Sequence, residues 1–254
     1  MVGRDFSPGG RYDTPMSSAL FIYAHPDDET FGAAGTIALL RSKGWRVVLA
    51  CATLGEQGKC GEPPLCERAD LGATREAELR GAACVLDISE IHLLGYRDKE
   101  LAAAPPEEIR RKLVGLIRAV TPEIVCTFDP SGFNVHPDHV AISRFTTDAI
   151  AAAADDRWFP ELGPAHAVPE LLWTTPLEPW EEASPDAASK PGVDIALDVS
   201  AWADKKEAAL RAHRTQHKSV EHHFLSKPNL REILGVETWR YAWPRAGARA
   251  RIVF

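Results

Sequence analysis

The feature of the sequence that most constrains its fold is an alternation of short apolar segments with longer segments of helical periodicity. The apolar segments predict four strands, at 20–23, 46–52, 91–94 and 124–128. The helical segments follow them, at 31–43, 71–86, 105–120 and 139–154. Strands this short and apolar, separated by helices, indicate parallel pairing with both faces buried. We therefore predict an α/β fold with a doubly wound, mostly parallel sheet flanked by helices.

The remainder of the chain, from residue 155 onward, is less regular and predicts a C-terminal extension of the same domain. We expect two further strands, one helix that begins after Ser200 as its N-cap, and a Pro-rich surface loop. These segments are 171–174 and 194–199 for the strands, 201–217 for the helix and 178–191 for the loop. Residues 1–18, rich in Gly, Pro and Ser, predict a flexible tail, which leaves 19–254 as a single domain.

Composition excludes several classes of protein. The formal net charge is -7, which argues against a nucleic-acid partner because phosphate binding favours a basic face. We predict no transmembrane segment and no secretory signal, and expect a cytoplasmic protein. The five cysteines fit reduced thiols, three of them (Cys51, Cys84 and Cys126) in apolar, core-like contexts.

Two polar clusters follow predicted strands. His25-Pro-Asp-Asp-Glu29 comes directly after the first strand, and His136-Pro-Asp-His139 comes a few residues after the fourth. In a doubly wound sheet of order 3-2-1-4, strands one and four are neighbours, and ligands bind at the carboxyl ends of the strands at such a switch point. We therefore expect the two clusters to face one cavity.

The residue types in these clusters suit a catalytic metal. Zinc takes imidazole nitrogen and carboxylate oxygen, and its catalytic sites combine three protein ligands with an open position for water. A spare carboxylate can then accept the proton of that water. Spacing alone leaves open which of Asp27, Asp28 and Glu29 is the ligand.

The two clusters resemble those of the LmbE/PIG-L family of zinc-dependent de-N-acetylases, which act on N-acetylglucosaminyl substrates. Further resemblance lies in 53–56, 75–79 and 95–98, and in Lys206, His213 and Gln216. The family has a Rossmann-like fold, in agreement with the strand order predicted above.

The resemblance implies a role for individual residues. His25, Asp28 and His139 would be the metal ligands, for Zn²⁺ or alternatively Fe²⁺. Asp27 would be the general base, His136 would stabilise the oxyanion or protonate the leaving amine, and Asp138 would orient His136. Substrate contacts would come from four residues, namely Arg75, Asp98, His213 and Asn134. Asn134 stands where the mycothiol branch of the family has a tyrosine.

Some of these residues also have ordinary structural interpretations. Asp27 could cap the helix that follows it, and Arg75 could form an ion pair with Glu78. His213 and His217, four apart on a predicted helix, could form a metal pair, although that segment lacks the glutamate of a zincin helix. We expect His222 and His223 to be surface residues.

The predicted function is metal-dependent removal of an acetyl group from the nitrogen of an N-acetylglucosamine-like or glycoconjugate substrate. One alternative is an amidase that acts on a thiol conjugate or a natural-product intermediate. Two further alternatives are a non-catalytic, metal-containing sugar-binding protein and a metallo-phosphoesterase, which usually needs two metals. The expected partner is a small molecule, and a homo-oligomer is compatible with the sequence.

Overall fold

The structure, a computed structural model, describes residues 16–243. Residues 1–15 of the predicted tail and residues 244–254 of the predicted domain lie outside this range. Ser18, which we assigned to the tail, instead begins the first strand, because it pairs with Arg46 in the parallel ladder.

Seven strands form one mixed sheet of order β3-β2-β1-β4-β5-β7-β6. They are β1 (Ser18–Tyr23), β2 (Arg46–Cys51), β3 (Glu90–Leu93), β4 (Ile124–Thr127), β5 (Glu170–Thr174), β6 (Ile195–Asp198) and β7 (Val236–Tyr241). The first five strands are parallel, and β7 pairs antiparallel with both β5 and β6. The predicted order 3-2-1-4 and the α/β class are confirmed.

Ten α-helical segments accompany the sheet in residues 16–243. They are α1 (Asp28–Gly32), α2 (Ala34–Ser42), α3 (Leu71–Leu86), α4 (Pro106–Val120), α5 (Gly132–Val135), α6 (Pro137–Ala153), α7 (Pro179–Glu182), α8 (Ala203–Ala212), α9 (His217–Val220) and α10 (Leu230–Leu234). A π-helical segment, Glu221–Leu225, continues α9. No helix of the described residues is long and apolar enough to cross a membrane.

The sequence explains the central strands directly. Every residue of β1 is buried, as expected for a strand paired on both sides and covered on both faces. The helix α4 begins with a proline followed by Glu107 and Glu108, residues that suit a first turn, and it buries one apolar side that includes Leu113 and Ile117. These elements fix the carboxyl ends of β1 and β4 side by side.

Three predictions of local structure were wrong. The helix expected at 31–43 is two helices, because the backbone of Ala33 leaves the helical region. The helix expected at 201–217 ends at Ala212, and Ser200 does not cap it. The loop expected at 178–191 contains α7, whose Glu182 is buried against Thr238.

The cysteines also depart from expectation at one position. Cys51 and Cys126 are buried as predicted, whereas Cys84 is exposed because it lies on the outer side of α3. All five thiols are free.

Candidate metal centre and active-site cavity

The two clusters meet where the topology predicts. The loop after β1 holds His25, and the loop after β4 leads into α6, which holds His139 in its first turn. Both residues line one cavity of about 360 Å³, which also receives side chains from the loops after β2, β3 and β5. That volume lies in the range of small-molecule sites.

Three donor atoms converge in this cavity. Nδ1 of His25 lies 3.1 Å from Nε2 of His139. The carboxylate of Asp28 lies 3.7 Å from the former and 3.4 Å from the latter. Donors about 2.0–2.1 Å from a tetrahedral zinc ion are separated by about 3.3–3.4 Å, so the three atoms fit three corners of such a site.

The tautomers of both histidines support a cation between them. Nδ1 of His139 lies 3.1 Å from the carbonyl oxygen of Gly132, so it donates and leaves Nε2 with a lone pair. Nε2 of His25 faces the carboxylates of Asp138 and Asp98, so Nδ1 of His25 likewise presents a lone pair. Two lone pairs and a carboxylate pointing at one another need a positive charge among them. The residues therefore fit a metal ion.

Local backbone and packing hold these ligands in place. Oδ2 of Asp28 accepts from the backbone N–H groups of Ala24 and His25. The ring of His139 stacks on Phe128 at 4.0 Å between centroids. Gly132 has φ 70, and a Cβ there would approach the backbone of Val140 to 2.7 Å, so only glycine brings its carbonyl to His139.

Electrostatics favour negative charge on Asp28. Burial raises the pKa of its carboxyl, but His139 and His25 outweigh burial and hold it well below its usual range. Burial likewise lowers the pKa of His25, yet hydrogen bonds to Asp138 and Asp98 raise it to about 10. Anionic Asp28 therefore faces positive charge at His25, which is the charge that a metal ion would supply once it replaces the proton on Nδ1 of His25.

Asp27 lies beside the three donor atoms, and its side chain does not cap the following helix although it occupies the N-cap position. Its φ is 113, in the region that favours glycine, and its side chain makes no capping hydrogen bond. The carboxylate lies 3.3 Å from the guanidinium of Arg75 and lines the cavity. Burial raises its pKa to about 6, against the opposing charge of Arg75. Strained backbone of this kind recurs at functional sites.

His136 is the third imidazole of the cavity. Its ring centroid lies 4.8 Å from that of His25 and 4.9 Å from that of His139. Nδ1 accepts from the backbone N–H of Asp138, so Nε2 carries the proton of the neutral ring. Burial, together with His25 and His139, lowers its pKa. A neutral imidazole with a defined Nε2–H is available as a hydrogen-bond donor.

The carboxylate of Asp138 contacts a different histidine from the one we predicted. It lies 3.3 Å from Nε2 of His25 and accepts from the backbone N–H of Lys99, so it orients His25 instead of His136. Asp98 is also committed to His25, at 3.2 Å, and accepts from the backbone N–H of Gln57. Both carboxylates support a ligand histidine, an arrangement common around catalytic metals.

Arg75 lies at the cavity, but its guanidinium already has several partners within the protein. Its guanidinium donates to the carbonyl oxygens of Gly55 and Pro26 and pairs with Asp27. The predicted alternative, a pair with Glu78, is wrong, because Glu78 accepts from Thr215. Arg75 therefore fixes the loop that holds Asp27, and substrate contact through it stays a prediction.

The remaining predicted substrate contacts differ in position. Asn134 is exposed at the cavity, where its Oδ1 accepts from the backbone N–H of His136. His213 is fully buried behind the site, with Nε2 2.7 Å from Oε1 of Glu29. Direct substrate contact by His213 does not fit that position. The other oxygen of Glu29 accepts from the backbone N–H of Asp27, so His213 braces the first cluster.

The other histidines do not form a second site of the kind considered. Nδ1 of His217 donates to the carbonyl oxygen of Arg214, while His213 is engaged by Glu29, so the metal pair is wrong. His222 is exposed as predicted. His223 is not a simple surface residue, because it lines the cavity.

Comparisons with known proteins bear on these residues. Residues 20–150, which include both clusters, match the family described as PIG-L, GlcNAc-PI de-N-acetylase. The chain belongs to the PIG-L family.

Two curated PIG-L-like relatives are similar over most of their length. The first is 1D-myo-inositol 2-acetamido-2-deoxy-alpha-D-glucopyranoside deacetylase of Geodermatophilus obscurus, 33% identical over 89% of this chain and 92% of the relative. The second is probable N-acetyl-alpha-D-glucosaminyl L-malate deacetylase 2 of Bacillus subtilis, 38% identical over 79% and 84%.

Solved structures with the same fold include enzymes of two reaction types. N,N'-diacetylchitobiose deacetylase of Pyrococcus horikoshii superposes with a TM-score of 0.70 and 23% identity, covering 89% of this chain and 84% of that one. GalB, a 4-carboxy-2-hydroxymuconate hydratase from Pseudomonas putida, gives 0.68 and 23%, covering 91% and 98%. At this identity the two likenesses show the fold alone.

No motif in the sequence points to the individual residues of one wall of this PIG-L cavity. It is formed after β5 by residues that follow no motif, and its members are Thr174, Thr175, Leu177, Glu178, Pro179, Glu182, Ser219 and His223. The π-helical segment that holds His223 is a signal often found near functional sites, but periodicity in the sequence does not reveal it.

Proposed function

We propose that this PIG-L family member is a metal-dependent de-N-acetylase that hydrolyses the acetamide of an N-acetylglucosaminyl substrate to acetate and a free amine. The observation that carries the proposal is the convergence of His25, Asp28 and His139 at 3.1–3.7 Å in a cavity that Asp27 and His136 also line. Family membership adds independent support.

The fit of the donor set favours zinc, with iron(II) as the alternative. A zinc ion held there would polarise the acetamide carbonyl and lower the pKa of a water to about 7. Asp27, which lines the same cavity and is no ligand in this arrangement, accepts the proton of the attacking water. Arg75 keeps that carboxylate in place through its ion pair.

His136 acts on the other side of the reacting carbon. Its Nε2–H donates a hydrogen bond to the oxygen on which negative charge develops. The low pKa of His136 favours this neutral donor role over the alternative of a protonated general acid. Asp27 then passes the proton to the leaving amine. The oxygen of the water thus ends in acetate, and the proton ends on the amine.

The substrate class is taken from the relatives, which act on amides of a glucosaminyl group according to their names. The alternative amidase, acting on a thiol conjugate or natural-product intermediate, uses the same donor set and differs only in the substrate. A non-catalytic binding protein would have no use for Asp27 and His136 at this position. We also propose a cytoplasmic location, on the ground of free thiols.

A two-metal phosphoesterase would need a second set of ligands. The candidate set joins Nε2 of His25 with Asp98 and Asp138. Both carboxylates there already accept backbone N–H groups and the His25 proton, which fits hydrogen bonding better than a second ion. We expect one metal per chain.

The test is acetate release by purified protein, as isolated, after chelation and after reloading with zinc. We expect hydrolysis of N-acetylglucosaminyl conjugates that disappears on chelation and returns with one equivalent of metal. Full activity in chelated protein, or hydrolysis of phosphate esters but no amides, would reject the proposal.

A further inference from the structure

The substrates in the names of the two curated relatives differ in the group attached to the amino sugar. One relative acts on an inositol conjugate, a neutral polyol, and the other on a malate conjugate, a carboxylic acid. Identities of 33% and 38% do not choose between them. The chemistry of the cavity wall that receives this group can choose.

We call the cavity-lining residues between Thr174 and Glu182, together with Ser219 and His223, the distal wall. It begins at the carboxyl end of β5, two strands from β1 in the sheet. Strands are spaced by about 4.8 Å, so the distal wall begins about 10 Å across the sheet from the strand of His25. A substrate whose acetamide lies at the metal centre would place its attached group against this wall.

The charge of the distal wall is negative. Glu178 and Glu182 both line the cavity, and neither Lys nor Arg lines this wall among residues 16–243. The cavity's two Lys and Arg side chains lie on the metal side, Arg75 in α3 and Lys99 in the loop after β3. Both are engaged there, Arg75 by Asp27 and the ammonium of Lys99 by the carbonyl oxygen of Gln57.

Two further cations lie close to the wall without lining the cavity. Lys206 is buried and paired with Glu237 at 2.7 Å. The ammonium of Lys227 sits 4.0 Å from the ring centroid of Trp180, a residue that is itself outside the cavity lining. A carboxylate of the substrate would therefore meet Glu178, and also Glu182 in its ionised form, with no Lys or Arg side chain on the wall to pair with it. Like charges in such a position disfavour a ligand strongly.

His223 supplies a hydrogen-bond acceptor on the same wall. Its Nδ1 lies 3.1 Å from Oε2 of Glu178, and its ring stacks on Trp180 with an interplanar angle of 12°. Because Nδ1 donates to the carboxylate, Nε2 of the neutral ring presents a lone pair. Hydroxyl groups donate to such an atom, and carboxylates do not.

Apolar surface completes the wall. Phe31, which packs against His223 at 5.8 Å between ring centroids, lines the cavity together with Leu177 and Pro179. An apolar surface with a few oriented polar atoms is typical of small-molecule sites. It suits the C–H face of a ring whose hydroxyl groups point to its edge.

We propose that the distal wall is a specificity subsite for a neutral polyhydroxylated ring, such as a cyclitol or a second sugar, and that it selects against a carboxylate-bearing group. The inference rests on the proposed function, because it concerns the second half of the same substrate. His223 is the residue of this wall that recognises hydroxyl groups.

The experiment compares kcat/KM of the metal-loaded enzyme for four substrates. They are N-acetylglucosamine, its α-linked inositol conjugate, its α-linked malate conjugate and N,N'-diacetylchitobiose. We expect a neutral-ring substrate to exceed the malate conjugate by at least about tenfold. Equal or better use of the malate conjugate would overturn the subsite and leave the deacetylase intact. If the enzyme deacetylates none of the four substrates, the proposed function is overturned, and the subsite with it.

Variants at His223 then test its part. His223→Phe keeps a ring beside Trp180 but has no acceptor, so kcat/KM for the neutral-ring substrate should fall about three- to tenfold, mainly through KM. N-acetylglucosamine, which lacks the second ring, should lose less. His223→Gln retains an acceptor oxygen and should recover part of the loss.

His222→Ala is the matched control, since His222 is adjacent, exposed and outside the cavity lining. In this variant the ratio of kcat/KM for the neutral-ring substrate to kcat/KM for N-acetylglucosamine should stay at the wild-type value. An equal fall for both substrates in His223→Phe, or no fall for either, would show that His223 does not recognise the second ring.

Discussion

The metal side and the distal wall of the cavity are built in different ways. On the metal side, one short motif directly follows β1 and the other follows β4 after the short segment α5, and each proposed ligand has a defined second partner. The distal wall combines a strand end, a four-residue helix and a π-helical segment drawn from residues 174–223. The proposed metal donors thus lie in short motifs near strand ends, whereas the proposed selection of the substrate falls to a less regular part of the chain.

The two sides also differ in how they bear buried charge. Asp138 and Asp98 on the metal side receive hydrogen bonds from His25 and from backbone N–H groups. Within residues 16–243, the hydrogen bonds that Glu182 of the distal wall accepts come from Thr238, through Oε1, and burial raises its pKa to about 7. As the pH falls from about 8, we therefore expect Glu182 of the distal wall to take up a proton before Asp98 does.

The largest expected effect tests the metal side. Asp27→Asn removes the proton acceptor without removing a metal donor, so kcat for acetate release should fall about 10²–10⁴-fold while one metal per chain remains. Metal content and acetate release are measured on the same preparation. Asp156→Asn, at an exposed position, is the control. A metal-loaded Asp27→Asn enzyme with the wild-type rate would show that Asp27 is not the base.

The next effect concerns the distal wall and stability. In the unfolded chain Glu182 has a pKa near 4.5, and burial raises it to about 7 in the folded protein. The folded state therefore holds the proton more tightly, and this contribution to stability is complete below about pH 4.5 and lost as the pH rises through about 7. The free energy of unfolding should fall by up to about 3 kcal/mol over this window.

Glu182→Gln should remove that dependence, because its amide resembles the protonated acid. Chemical denaturation at about pH 5 and about pH 8 measures the difference, with the neighbouring half-exposed Glu181→Gln as the control. If the free energy of unfolding falls equally between the two pH values in wild type and in Glu182→Gln, the titrating group is not Glu182.

A smaller effect tests how the metal side is held. In Asp138→Asn an amide faces Nε2 of His25, and if its N–H group donates there, Nδ1 of His25 must carry the proton and cannot bind metal. Zinc affinity, measured by competition with a chelator, should fall about 10–100-fold. Asp148→Asn, on the outer side of the same helix, should not change it. Unchanged affinity in Asp138→Asn would mean that His25 does not depend on Asp138.

The contrast between the two sides also explains what the sequence could predict. Strands β1 to β5 were predictable because continuous apolar runs such as 19–23 have one interpretation in a buried parallel sheet. The convergence of residues 25 and 139 then followed from the strand order. No pattern in the sequence indicates which histidine Asp138 contacts, because that depends on the path of the loop at Lys99.

Strand β7 shows why the C-terminal half was harder. Its residues Val236–Tyr241 do not alternate between apolar and polar types, and the buried centre of the strand includes Glu237, a residue type that is normally exposed. Glu237 is buried because Lys206 pairs with it at 2.7 Å and the N-terminus of α2 donates to it. Such compensation is between residues far apart in sequence, so local patterns cannot reveal it.

The most direct test of the whole account is a crystal structure of the zinc-loaded protein with anomalous data collected at the zinc edge. We expect one peak, bound by Nδ1 of His25, the carboxylate of Asp28 and Nε2 of His139, with an open side toward Asp27 and His136. A peak bound instead by Asp98 and Asp138, or full amide hydrolysis by protein without an ion at this place, would contradict it.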